Sequence, residues 1–361
     1  MNNSNKKVCF LINSLGFGGA ERVFVDDANS FFEQGIEIFF IILYGESEAN
    51  PLVKQLKIPL QNIIFLKARN RYDVNIFKKL FFFLKEKNRL CLYSTLNDAN
   101  FVSRCISIFF PKIFLVIREA NTAENRSYLH KFFDILMNFR ANTLVAVSKS
   151  VKDSFLSYQP WNKSKTIVVY NGVDIPDIFN KENNETVVLT VGSLTFKKNH
   201  SLLIDIFEKI ANEFPEVKLH IVGDGILKDE LSDIILFKKL QNRIFLLGKK
   251  KKEEVFEEYK KASIFVLSSS WEGCPNVLLE AMSFGLPSIA MGVGAVPEII
   301  ENKVSGFIVP RNNPFLMAEY IKELLRSKNL QEEMKKKSQA RIIDKFSRDK
   351  HLSELKKYLL N

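Results

Sequence analysis

Two carboxylates stand eight residues apart in an otherwise apolar stretch, "SSSWEGCPNVLLEAMSFGLP" at 268–287: Glu272 and Glu280. They fit a general acid/base couple, a pair of hydroxyl grips, or ordinary helix decoration. A glycosidase couple sets its carboxyls about 5 Å or about 6.5–9.5 Å apart across one sugar bond, usually from separate elements. Here Pro275 suits the first turn of a helix, where its missing N–H costs nothing. Glu272 then stands on the loop before that helix and Glu280 about one turn inside it. The N–H groups near Asn276 and Val277 make the helix start a place for a phosphate. Acids on either side of a phosphate fit better as acceptors from vicinal hydroxyls, as on ribose or hexose. Val277, Leu278, Leu279, Ala281 and Met282 surround Glu280 with apolar positions and disfavour mere decoration.

Two further stretches follow strand-like runs. In "LGFGGAERV" (15–23), Gly16, Gly18 and Gly19 let backbone approach an anion at a helix start. The dinucleotide pattern Gly-x-Gly-x-x-Gly fits poorly, because its sixth position is Glu21. A glycine turn without a ligand is the plain alternative. In "VGSLTFKKNH" (191–200), Lys197 and Lys198 open the next helix. They clamp a diphosphate there or form a solvated basic turn.

The elements that position these residues alternate. "KVCFLIN", "IEIFFIILY", "NIIFL", "RLCLYST", "KIFLVIRE", "TLVAVS" and "KTIVVYNG" are short apolar runs separated by polar or helix-like segments. A second series, "TVVLTVGS", "KLHIVGDG", "RIFLLG", "SIFVLSS", "PSIAM" and "GFIVP", repeats the scheme. Such runs predict parallel sheets covered on both faces. The polar stretch 172–186 reads as the linker. The expected class is α/β: two doubly wound, Rossmann-like domains, 1–172 and 173–345, facing a central cleft, with ligands at the carboxyl ends of strands. From about Pro314 the chain reads as helical to the end, with a weak break near Phe346–Ser347. The final segment, 346–361, is expected to pack back on the first domain.

The 361 residues, 46% hydrophobic and 26% charged, suit a globular protein with a sizeable core. No apolar run reaches the roughly 18 residues of a membrane span. The short apolar stretch near the N-terminus reads as a buried strand rather than a signal peptide, so an intracellular protein is expected. Cys9, Cys91, Cys105 and Cys274 have no metal-type spacing and read as reduced thiols. The net charge of +11 is uneven: residues 1–172 hold 23 Lys+Arg against 14 Asp+Glu, the remainder 29 against 27. A basic first half attracts phosphates, whether of nucleotide, anionic lipid or nucleic acid. No recognised nucleic-acid motif accompanies it, so no nucleic-acid partner is expected.

The chain resembles the retaining glycosyltransferases of family 4, with the two-Rossmann GT-B fold. "EGCPNVLLE" matches that family's Glu-x7-Glu motif, and "GFGGAERV", "LVAVSKSV", "VVYNGVD", "VGSLTFKKN" and "IVGDG" follow its order. The resemblance implies that Glu280 accepts from the nucleotide ribose and Glu272 holds the donor sugar. It places Gly273 and the N–H groups of Asn276 and Val277 against donor sugar or phosphate. Lys198 matches the diphosphate lysine, Gly18 and Gly19 the glycine loop that approaches the diphosphate, and the residues after Gly248 the base-reading segment. Ser193 stands where the family has a diphosphate arginine, and Lys197 is expected to supply the charge. The family's histidine is missing from "VIREANT" (116–122), which makes Arg118 and Glu119 acceptor-site candidates. His130 lies too far along the chain to replace it.

The implied reaction moves a sugar from a nucleotide donor, UDP on family frequency, to an acceptor hydroxyl with retention. No Asp-x-Asp motif occurs, which argues against the metal-dependent class. For the acceptor, "KARNRYDVNIFKKLFFFLKEKNR" (67–89) is informative. Phe77, Leu80, Phe81 and Leu84 share one helical face, and Phe82 falls near Lys78, Lys85 and Arg89 on the other. This suits an interfacial helix on anionic lipid, a grip on a polyprenyl diphosphate, or a core helix with solvated lysines. The expected acceptor is a polyprenyl-diphosphate-linked glycan of bacterial surface polysaccharide or glycoprotein glycan assembly. The protein is then cytoplasmic, held peripherally at the inner face of the cytoplasmic membrane. Rival readings are a soluble-acceptor transferase of polyglucan or disaccharide type, and an inactive nucleotide-sugar-binding protein.

Overall fold

The computed structural model describes residues 6–16, 18–45, 50–87, 90–124, 126–176 and 185–360. The chain divides into two compact units, residues 1–171 with 349–361, and residues 172–348.

In unit 1 the apolar runs form β1 (Lys7–Ile12), β2 (Glu37–Ile42), β3 (Ile63–Phe65), β4 (Cys91–Thr95), β5 (Phe114–Glu119), β6 (Thr143–Ala146) and β7 (Thr166–Val168). They pair in parallel in the order β3-β2-β1-β4-β5-β6-β7. The helices are α1 (Gly19–Glu33), α2 (Val74–Glu86), α3 (Asn97–Ser107), α4 (Tyr128–Met137) and α5 (Lys149–Leu156). Side chains alternate across a strand, and β1 shows it. Val8, Phe10 and Ile12 enter one core with Phe24, Ala28 and Phe31 of α1. Cys9 and Leu11 enter another with Ile76, Leu80 and Leu84 of α2 and Val102 and Ile106 of α3.

Unit 2 repeats the plan with β8 (Val187–Val191), β9 (Lys218–Val222), β10 (Ile244–Leu246), β11 (Ile264–Leu267), β12 (Ser288–Met291) and β13 (Gly306–Val309). The parallel order is β10-β9-β8-β11-β12-β13. Its helices are α6 (His200–Ala211), α7 (Lys228–Phe237), α8 (Lys252–Lys261), α9 (Asn276–Ser283), α10 (Val296–Ile299), α11 (Leu316–Arg326) and α12 (Lys328–Phe346). The helical tail breaks at Ser347, and also at Ser327. Ser327 is extended (φ −130°, ψ 96°), and its side chain accepts from Leu330 N at 3.2 Å as an N-cap. Of the expected linker, 177–184 lie outside the described residues, and its first residues are pinned by Arg348 N donating to Val173 O at 2.9 Å.

The helix α13 (Arg348–Leu359) returns to unit 1, where Leu352, Leu355 and Leu359 join the core beneath α1. His351 bridges Asp27 Oδ1 (2.9 Å) and Tyr170 O (2.6 Å). In each sheet the strand order reverses between its first and fourth strands, β1–β4 and β8–β11. The carboxyl ends of those pairs are where such sheets take ligands.

Candidate active site

In unit 2 the loops after β8 and β11 are laced together. Gly192 and Ser193 leave β8, a 3-10 turn follows at Phe196–Lys198, and Asn199 (φ 50°, ψ 49°) admits the chain to α6. Ser268 Oγ donates to Lys198 O at 2.8 Å, and Ser270 N to Lys197 O at 2.8 Å. The stem of Lys198 lies across Gly192, where an added Cβ would come 3.3 Å from its Cδ and Cε. Glu272 is buried in the second loop. Lys198 Nζ stands 2.5 Å from its Oε1, and Lys197 Nζ 3.4 Å from its Oε2. Gly294 (φ 52°) presses on the Glu272 carbonyl from behind, in a space no Cβ could share.

Burial pushes the Glu272 carboxyl up, but Lys198 and Lys197 outweigh it and hold the group below its ordinary value. Glu272 is therefore ionised at neutral pH. His200, the first residue of α6, is buried, and burial is the main cause that brings its pKa down to about 4. It is a neutral imidazole at neutral pH. Both lysines keep some exposure. An ammonium on a flexible stem can turn from a carboxylate to a phosphate.

Pro275 is the N-cap of α9 (φ −74°, ψ 103°) rather than a member of its first turn, and no side chain caps this helix start. Glu280 lies inside α9, half-buried, with Oε2 3.1 Å from the Tyr259 hydroxyl of α8. That buried hydroxyl also lies 3.3 Å from Val277 O, so Tyr259 fixes both the carboxylate and the helix start. No sequence spacing singles Tyr259 out; only the packing of α8 on α9 does. Gly273 is buried beside Glu272, and Ser193 is exposed, its Oγ 3.3 Å from Thr195 Oγ1. Gly248 (φ 67°) follows β10 and accepts from Gly223 N at 2.9 Å.

In unit 1, Gly18 is the N-cap of α1 and Gly19 its first residue. The Glu21 carboxylate folds back over Gly18, so that a Cβ there would overlap it. The expected phosphate position thus lies beside the chain's own anion.

The side chains of Arg118 and Glu119, expected at the acceptor site, have partners inside the unit. Arg118 is buried, with Nη1 3.3 Å from Thr95 Oγ1 and Nη2 2.7 Å from Asn171 Oδ1. Glu119 belongs to a closed ring of charges. Arg104 Nη2 meets Glu119 Oε1 at 3.1 Å and Arg104 Nη1 meets Asp134 Oδ1 at 2.9 Å. Arg126 closes the ring, with Nη2 on Glu119 Oε2 and Nη1 on Asp134 Oδ2. Two arginines and two carboxylates satisfy one another, with Arg104, Glu119 and Asp134 buried and Arg126 nearly so.

His130, remote in sequence, is brought by α4 into a pocket of about 520 Å³ with Asn121, Asn13, Tyr44, Arg71, Leu96 and Asp98. Its Nε2 meets Arg71 Nη1, and Asp98 accepts from the Tyr44 hydroxyl at 2.8 Å. Leu96 holds φ 72°, ψ 157° at the pocket's edge, a strained conformation of the kind that clusters at ligand sites. On α2, Lys78, Phe82 and Lys85 are exposed and Leu80 and Leu84 buried, while Arg89 lies outside the described residues. No helix among the described residues is long and apolar enough to cross a membrane.

Residues 174–341 match the family model described as "Glycosyl transferases group 1". The chain is 26% identical over 385 residues to a Campylobacter jejuni enzyme, N-acetylgalactosamine-N,N'-diacetylbacillosaminyl-diphospho-undecaprenol 4-alpha-N-acetylgalactosaminyltransferase, covering 98% of this chain and 100% of that one. It is 34% identical to the amylovoran biosynthesis glycosyltransferase AmsD of Erwinia amylovora, over 43% of this chain and 42% of that one. Its fold matches that of Anabaena HepE, solved in complex with UDP and glucose, with a TM-score of 0.86 and 21% identity over 99% of this chain and 100% of that one.

Proposed function

We propose, from the premise that this chain is a glycosyltransferase of GT-B fold, that it moves a sugar from a UDP-sugar to a hydroxyl of a lipid-linked glycan with retention at the anomeric carbon, in the manner of family 4. The observation that carries this is the ionised Glu272 held between Lys197 and Lys198 at the carboxyl ends of β8 and β11. A donor diphosphate draws the two ammonium groups toward its oxygens. Glu272 then accepts hydrogen bonds from hydroxyls of the sugar, and Glu280, oriented by Tyr259, from those of the ribose. In the transfer step the acceptor oxygen bonds to the anomeric carbon as the bond to the β-phosphate oxygen breaks. The acceptor proton passes to the departing diphosphate, whose growing charge the lysines offset. Lys198 and Glu272 are the residues that touch the reacting groups.

The acceptor reading is supported by the Campylobacter relative, whose name places its acceptor on diphospho-undecaprenol. The basic first half suits such a diphosphate and an anionic membrane surface, at the inner face of the cytoplasmic membrane. A transfer assay with UDP-hexoses and UDP-N-acetylhexosamines on a polyprenyl-diphosphate glycan tests it, with the new linkage read by NMR. Product of retained configuration, lost in Glu272→Ala with donor-free folding intact, is the expected result. Full transfer by Glu272→Ala, or inverted product, overturns the mechanism.

A further inference from the structure

The helix α4 is built inside out. Its sole fully buried side chain is Asp134, which sits in the ring with Arg104 and Arg126. Its outward face carries Leu129, Phe132 and Leu136, continued by Phe139 in the next turn. The spacings of three, four and three are those of one helical face. These side chains are 71%, 58%, 54% and 67% exposed. An ordinary surface helix turns such a stripe inward. A contiguous exposed apolar stripe marks a surface that meets something other than water.

The stripe extends past α4. Arg140 donates to Ser107 O (3.0 Å) and Phe110 O (3.3 Å), which sets the Phe139 turn against the end of α3. Ile108 and Phe109 are exposed there. The Phe109 ring lies 6.4 Å from that of Phe81, itself 6.0 Å from the exposed Phe82. Lys78, Lys79 and Lys85 of α2 and Lys112 after α3 are exposed on the same helical layer. The result is an apolar, aromatic surface edged by cations. A second copy of this chain would set those cations against one another, whereas an anionic bilayer complements both features.

We infer that α4 lies in the plane of an anionic membrane, with Leu129, Phe132, Leu136 and Phe139 in its apolar margin and the lysines of α2 and Lys112 on the headgroups. This rests on the reading above that the acceptor is carried by a lipid, and it names the element that seats the enzyme on that lipid's membrane. The charged ring explains how α4 is fixed to the unit without spending its apolar face.

The test is co-sedimentation of the full chain with vesicles of phosphatidylglycerol and phosphatidylethanolamine, against vesicles of phosphatidylcholine alone. The triple variant Leu129→Ser, Phe132→Ser, Leu136→Ser is expected to bind the anionic vesicles at least about tenfold more weakly. UDP-induced thermal stabilisation is expected to stay unchanged. Equal binding by the triple variant, or equal binding to both vesicle types, overturns the inference. So does a dimer in ultracentrifugation that the triple variant abolishes, with no vesicle binding by the parent. Should the triple variant fold poorly, Phe132→Trp serves: its emission shifts to the blue on anionic vesicles, and an unshifted spectrum overturns the proposal. Vesicle binding by an enzyme that glycosylates only water-soluble acceptors would instead sink the lipid-linked acceptor and leave α4 standing.

Discussion

Each unit buries carboxylates beside cations, and the two clusters are built to different ends. In unit 1, Arg104 and Arg126 face Glu119 and Asp134 in a closed ring. Burial works against the charge of Arg126, and Glu119 and Asp134 outweigh it, so its pKa moves up. Planar guanidinium forks match both oxygens of each acid and leave nothing to offer a newcomer. In unit 2, Glu272 faces two lysines, point charges on flexible stems that keep some access to water. Such a cluster can exchange partners. A saturated ring of arginines has no group left to offer, whereas the lysines beside Glu272 keep access to solvent.

The comparison breaks most visibly at Arg126. Arg126→Ala leaves two buried acids under-compensated and is expected to cost roughly 3–5 kcal/mol of stability, measured by urea unfolding. A loss under about 1 kcal/mol would show that the ring is decoration. Glu272→Ala is expected to shift the balance: transfer falls about 10²–10³-fold, while the stability loss is smaller than at Arg126 because both lysines can reach solvent. A large stability loss there would erase the distinction between the clusters.

Acid sharpens the contrast further. A carboxyl whose folded pKa is depressed contributes stability that is full above its unfolded value, about 4.3 for Glu, and is lost as pH falls through the lower folded value. Glu272 has a depressed pKa, so NMR titration of its carboxyl should place its midpoint below the ordinary range. Lys197→Ala with Lys198→Ala should raise it, since burial alone pushes up. An unmoved midpoint would mean the lysines do not hold the charge. The smallest effect is expected at Tyr259→Phe, which removes one hydrogen bond to Glu280, worth about 0.5–1.5 kcal/mol. It should raise the donor KM a few-fold with kcat nearly unchanged; an unaffected KM would take Glu280 out of donor binding.

The architecture was legible because strands buried on both faces are nearly continuous apolar runs, and each quoted run is a strand. The loop of Glu272 was legible too, since a glycine, a proline and two acids punctuate an apolar sequence. The ring was not. Its members come from β5, α3, α4 and the loop between β5 and α4, and pairing between distant elements leaves no periodic trace. For the same reason Glu119 looked available when it was already engaged, and His130 looked remote when α4 carries it to Asn121. α4 hid in plain view: a stripe of Leu and Phe at helical spacing is the same whether it faces core or solvent, and only tertiary packing tells which.

The return of α13 to unit 1 has a consequence for how the chain comes off the ribosome. Leu352, Leu355 and Leu359 complete a core that begins at Val8, yet all of 172–348 is made in between, roughly 10–35 s at ordinary rates of synthesis. Unit 2 can close while the part of unit 1's core that α13 completes beside α1 still waits, so the nascent chain matures in reverse order. Chains arrested after Arg348 should bind an apolar dye and resist proteolysis only across 185–348; protection of the strands and helices of unit 1 at that stage would show that unit 1 does not wait.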